Sequence, residues 1–213
     1  MNNTLTKKGI NLTLIGVLFY AINVVATNSS FIVAMGDFSD LEDTLLIIDS
    51  ITDITGVAAI VLIILGTAKL IKVCSTFKLV IPLVIVGILC TIAVDLVRDT
   101  IAYQLTWVMW LDIASTIISC LFITMLCIGL SKLYKENKNE KRAKKAIVVI
   151  VFYIILSIIS VLLMQFVTIF SGHIWDDGFL DILIIGWFAV LLNIVANLIV
   201  ILYLNKAKKE LGK

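Results

Sequence analysis

Six uninterrupted apolar stretches, joined by short segments that hold nearly all of the charge, dominate this chain. A helix rises ~1.5 Å per residue, so a ~30 Å hydrocarbon core is crossed by ~20 apolar residues. The stretches predict helices over approximately 10–34, 45–71, 79–97, 105–131, 146–170 and 179–204. Apolar residues make up 61% of the 213 and charged residues 15%, so no stretch remains for a separate soluble domain. The expectation is an all-α integral membrane protein, a single polytopic membrane domain over residues 1–213.

The charges sort by side. Taking the N-terminus, 69–78, 132–145 and the segment from 206 as one face, that face holds 16 of the 17 basic residues, and the other face holds 12 of the 15 acids. Cytoplasmic loops are enriched in Lys and Arg. The expected topology is therefore N-in/C-in, with six transmembrane helices arranged as three helical hairpins in the cytoplasmic membrane of a prokaryote. Lys7 and Lys8 before an apolar run, with Val24 and Ala26 following, resemble a signal sequence. The run continues through Phe31–Ala34, which favours an uncleaved first span.

A weak internal repeat aligns DSITDITGVAAIVLIILGTAKLIK (49–72) with DIASTIISCLFITMLCIGLSKLYK (112–135). Shared GxxKLxK endings, at 66–72 and 129–135, carry the match better than the apolar identities do. The repeat supplies a ruler, because the lysines mark one edge of the hydrocarbon. Asp49 and Asp112 each lie 20 residues from their lysine, roughly 30 Å away and at the opposite water boundary. Asn23, Asp53 and Asp95 lie 15, 16 and 17 residues from Lys8, Lys69 and Lys78. Those separations are about 22, 24 and 26 Å, so three helices place polar residues at one level inside the membrane.

An ionisable residue in a span costs ~2.5–3.5 kcal/mol to insert and generally faces a protein interior or a wet cavity. Arg98 is the only basic residue on the acidic face. It is a natural counter-ion for Asp53 or Asp95, either as a pair joining two helices or as part of a ligand pocket. Asn193 and Asn197, a turn apart on the sixth helix, suit interhelical hydrogen bonding, and Asn193 also suits a pocket floor. The candidate ligand-binding residues are thus Asp53, Asp95, Arg98, Asn23 and Asn193. Trp107 and Trp110 read as an interfacial aromatic belt.

The lysine-side segments LIILGTA, LVIPLVI, LCIGLS and AIVVIVF contain almost no polar group. A constitutive ion pore needs a polar passage throughout, so an outward pocket closed toward the cytoplasm fits better. Enzyme chemistry finds little support. The single His173 sits in SGHIWDDG without a nucleophile or a metal-ligand set, and HExxH, GxSxG and P-loop motifs are absent from the sequence. No cofactor or metal is expected. The four cysteines, at 74, 90, 120 and 127, have no disulfide or CxxC spacing.

No family-specific motif emerges. Size and topology resemble the small substrate-binding subunits of vitamin importers, a likeness of architecture alone. The function expected is binding, with transport or capture for transport, of a small polar or cationic solute. The alternative is a structural, immunity or regulatory membrane protein acting through partners. The expected partners are the lipid bilayer, a small polar solute and a protein docking on the basic loop 135–145, KENKNEKRAKK, whose charge otherwise serves topology. A net charge of +2 gives no reason to expect a nucleic acid.

Overall fold

A computed structural model describes residues 3–35, 42–100, 105–171 and 179–211. Six long helices follow in order: α1 (Asn3–Met35), α2 (Glu42–Ile71), α3 (Val80–Thr100), α4 (Leu105–Glu136), α5 (Glu140–Ser171) and α6 (Phe179–Leu211). One short 3₁₀ helix, Ser75–Leu79, precedes α3. Five of the helices carry described stretches long and apolar enough to cross a membrane, and the described apolar stretch entering α3, Ser75–Cys90, is shorter. This is the architecture of a multi-pass membrane protein.

α1 packs on α2, α5 on α6, and α4 on both α3 and α5. α1 also packs against α6, while α2 and α3 touch lightly. Lipid tails are as apolar as leucine, so side-chain interlock and interhelical hydrogen bonds hold such a bundle.

The tightest interlock is α1 on α2. Gly9, Gly16 and Asn23 step by seven along α1, and each faces a pair on α2: Gly66 with Leu70, Ala59 with Ile63, and Thr52 with Gly56. The partner pairs step by seven too, which is the period of a left-handed coil. A methyl on Gly16 would lie 2.7 Å from Ile63 Cγ1 and 3.1 Å from the Ala59 carbonyl oxygen, so the two backbones can approach only because no side chain intervenes. At Asn23 the seam turns polar, and its amide donates to the Thr52 carbonyl at 2.6 Å.

Several helices outrun the apolar stretches, chiefly at their lysine-rich ends. α1 starts at Asn3 rather than near 10, α4 runs to Glu136 rather than 131, α5 starts at Glu140 rather than near 146, and α6 runs to Leu211 rather than 204. The segment expected as loop 135–145 is therefore mostly helix, broken only at 137–139. Hydropathy falls at the membrane edge, but tertiary burial of Leu133, Tyr134, Ala143, Ala207 and Leu211 continues beyond it. Lys138 takes a left-handed conformation (φ 57°). The Asn139 amide then donates to the Tyr134 carbonyl and the Lys138 amide to that of Lys135, both at 2.9 Å. This is a Schellman ending with lysine where glycine is usual. Asn139 next caps α5, accepting from the Arg142 amide at 3.2 Å.

At the same end Phe77 is fully buried against Gly129 of α4, where a methyl would come within 2.6 Å of the ring. Arg142 of α5 pairs with Glu210 of α6 at 3.1 Å, beside the mutually tilted rings of Tyr134 and Tyr203 (centroids 6.3 Å apart).

Candidate functional site

Burial is unevenly distributed along the bundle. α5 and α6 have fully buried side chains from end to end, among them Ala143, Val167, Ile182 and Leu211. Among the described residues, α1 has none beyond Val17, α3 none beyond Val80, and α4 none before Phe122. The lysine-rich end is a filled core, whereas toward the acidic end the described residues of α1, α3 and α4 bury no side chain fully.

At the border between the two lies a set of hydroxyl and thiol groups. Tyr20 of α1 meets Ser119 of α4, Oη to Oγ, at 2.9 Å. Tyr153 and Ser157 of α5 and Cys120 of α4 lie beside this pair. Five side chains from three helices thus converge in one polar set, a relay of hydroxyl and thiol groups. Tyr20, Ser119, Cys120 and Ser157 lie 12 or 13 residues from Lys8, Lys132 and Lys145, about 18–20 Å by helical rise. Tyr153, eight residues from Lys145, comes out at about 12 Å. The relay therefore straddles the middle of a ~30 Å core, the depth at which transporter substrate sites are built.

The relay carries no formal charge. It offers hydroxyl groups that both donate and accept, which suits an uncharged or weakly polar ligand group. Cys120 also lines a groove of about 230 Å³ between α4 and α5, with Thr116, Ile117, Leu121, Thr124, Ile154 and Ile158.

The residues singled out by sequence are placed as follows. Asn23 and Asp53 sit at one level, as the lysine ruler indicated, but the Asn23 amide donates to the backbone at Thr52. Asp53 is exposed, next to the exposed Ile54. Asn193 accepts from Asn197 within α6, at 2.7 Å to its side chain and 3.0 Å to its carbonyl. Asp95 and Arg98 fall on the last turns of α3, and their side chains lie outside the described residues, as does that of Asp49. His173, Asp176 and Asp177 also lie outside them. The structure does not bring Asn23, Asp53 and Asn193 into one hydrogen-bonded cluster.

Sequence reasoning missed Tyr20, Ser119, Cys120, Tyr153 and Ser157. The lysine ruler would have grouped most of them had it been applied to hydroxyl side chains, rather than to charged and amide groups alone. No set of three or more His, Cys, Asp or Glu side chains suited to a metal occurs among the described residues. No protein-family profile, no curated protein and no solved structure matches this chain.

Proposed function

We propose that this is a cytoplasmic-membrane protein, both termini inside, that admits a small polar or cationic solute into a cleft at the acidic end. The Tyr20–Ser119 relay forms its floor, and the filled lysine-rich end closes it toward the cytoplasm. The uneven burial is the observation that supports this reading. A filled half, and a half in which α1, α3 and α4 fully bury none of their described side chains, meeting at a midplane set of hydroxyls, are what an outward-open carrier or capture subunit requires. Asp53 would attract a cation at the level above the floor.

The test is thiol labelling from outside the cell. In a chain carrying Ser115→Cys and Cys120→Ser, an impermeant sulfonated thiol reagent should modify residue 115, one turn outward of Ser119. Native Cys127, two turns past the floor and fully buried, should not react. A residue 115 that stays unmodified from outside overturns the cleft.

The basic α4–α5 turn favours a second reading. Lys132, Lys135, Lys138, Lys141, Lys144 and Lys145 are all exposed around an ordered turn, so a protein of acidic surface could dock there without any transport. Crosslinking in native membranes that captures no protein at these lysines would remove this alternative.

A further inference from the structure

The α4–α5 groove and the lysines of the same two helices belong to one face. The Ser131 hydroxyl of α4 donates to the Ala143 carbonyl of α5 at 3.0 Å, which fixes the antiparallel register. Counting 11 residues from each brings Cys120 opposite Ile154, and both line the groove. Lys132 stands 11 residues, close to three turns, from Leu121, and Lys144 stands 14 residues, close to four turns, from Ile158. Both lysines are exposed, and so are Leu121 and Ile158 in the groove wall.

A charged rim thus lies above an apolar slot. By helical rise the slot begins about 12 Å below the lysines, at Thr124, and ends about 24 Å below them, at Thr116, so it spans the middle of a ~30 Å core. Its volume of about 230 Å³ exceeds the ~150 Å³ that accommodates benzene, so a segment of one hydrocarbon chain fits. Glu136 and Glu140 lie four residues beyond Lys132 and Lys144, on the water side of the rim. Arg142, also between Lys132 and Lys144 in sequence, is engaged by Glu210.

We propose that this face binds one anionic phospholipid of the lysine-side leaflet, its phosphate held by Lys132 and Lys144 and the far end of one extended acyl chain seated between Leu121 and Ile158. The site depends on the chain spanning a bilayer but not on solute binding, so it stands or falls separately from the cleft. Basic residues beside a membrane attract anionic headgroups at short range. The slot adds what a diffuse lysine ring lacks, a seat for one chain.

The test compares full-length protein in phosphatidylcholine vesicles with and without phosphatidylglycerol. Phosphatidylglycerol should raise the thermal midpoint by about 3–6 °C at tenfold saturation. The chain carrying Lys132→Gln and Lys144→Gln should lose most of that rise, while Lys206→Gln with Lys209→Gln, the same loss of charge elsewhere, should keep it. An equal loss in both double variants, or no loss in the first, overturns the site. So does an equal rise with inorganic phosphate. Should the double variant fail to accumulate, native mass spectrometry decides. The unaltered chain should retain one phosphatidylglycerol in preference to phosphatidylcholine, and Ile158→Trp, which fills the slot, should not. Equal retention by both chains overturns the proposal.

Discussion

Tyr20 and Ser119 meet hydroxyl to hydroxyl at 2.9 Å across ninety-nine residues of sequence. Their contact ties the first helical pair to the α4–α5 interface at mid-membrane depth. Hydrogen bonds between membrane helices average ~0.6 kcal/mol and reach ~1.7 kcal/mol. A double-mutant cycle of Tyr20→Phe and Ser119→Ala should give a coupling energy in that range, measured by reversible unfolding in mixed micelles. A coupling near zero would mean that each hydroxyl is satisfied elsewhere.

The seven-residue seam between α1 and α2 should be the part of the fold least tolerant of bulk. Gly16→Leu and Gly66→Leu each force a side chain into the opposing backbone, and overpacking of this kind costs ~1–3 kcal/mol. Gly87 of α3 is the control, since a methyl there would lie at an ordinary 3.6 Å from Ile118. Gly87→Ala should melt no lower than the unaltered chain, since alanine also lowers the chain entropy that folding must overcome, while both seam variants fall below it.

Gly129→Ala should destabilise the lysine-rich end through Phe77 alone, because the three atoms nearest the added methyl all belong to that ring. Phe77→Leu, destabilising by itself, should recover part of the loss when combined with it. Non-additive midpoints of the three variants are the expected signature.

Much of this architecture was legible because lipid imposes it. Apolar length located the helices to within a few residues at their acidic ends. The GxxKLxK repeat is now explained by packing. Gly66 and Gly129 are both close-approach positions, Leu70 and Leu133 are both fully buried, and Lys72 and Lys135 are both exposed. It marks two helices entering a filled core and requires no transport chemistry. Helix ends beyond the membrane were not legible, since hydropathy reports the solvent boundary while burial of Tyr134 and Leu211 decides where the helix stops. The polar relay escaped notice for a related reason. Serine, cysteine and tyrosine are inexpensive in membrane helices, so nothing in their composition distinguishes a relay from isolated side chains; only the convergence of α1, α4 and α5 does.

The α4–α5 turn offers a test of local backbone chemistry. Lys138 adopts the left-handed conformation at the position where a Schellman ending favours glycine. That conformation costs a non-glycine residue ~1–2 kcal/mol. Lys138→Gly should therefore raise stability by up to about 1 kcal/mol, after the greater chain entropy of glycine is offset. Asn139→Ala should lower it by about 1 kcal/mol through loss of the α5 cap. Thermal midpoints moving in opposite directions confirm the turn; a destabilising Lys138→Gly contradicts it.

Asp53 separates a structural from a functional account of the polar level. It is exposed, about 24 Å from the lysine boundary by helical rise, where a carboxylate is costly in lipid. If it served only to hold helices, its loss would lower stability. The cleft reading expects the reverse, because removing an inserted charge relieves part of that cost. Asp53→Asn and Asp53→Leu should enter the membrane as well as the unaltered chain and melt no lower. Under the same reading, small organic cations and polyols screened as protectants should slow thiol labelling of Ser115→Cys. Cations that do so should lose the effect when Asp53→Asn is added, whereas protection by an uncharged polyol resting on the Tyr20–Ser119 floor should remain. Full protection by cations in the Asp53→Asn chain would remove the carboxylate from the site, and a sharp fall in melting temperature would return it to a structural role.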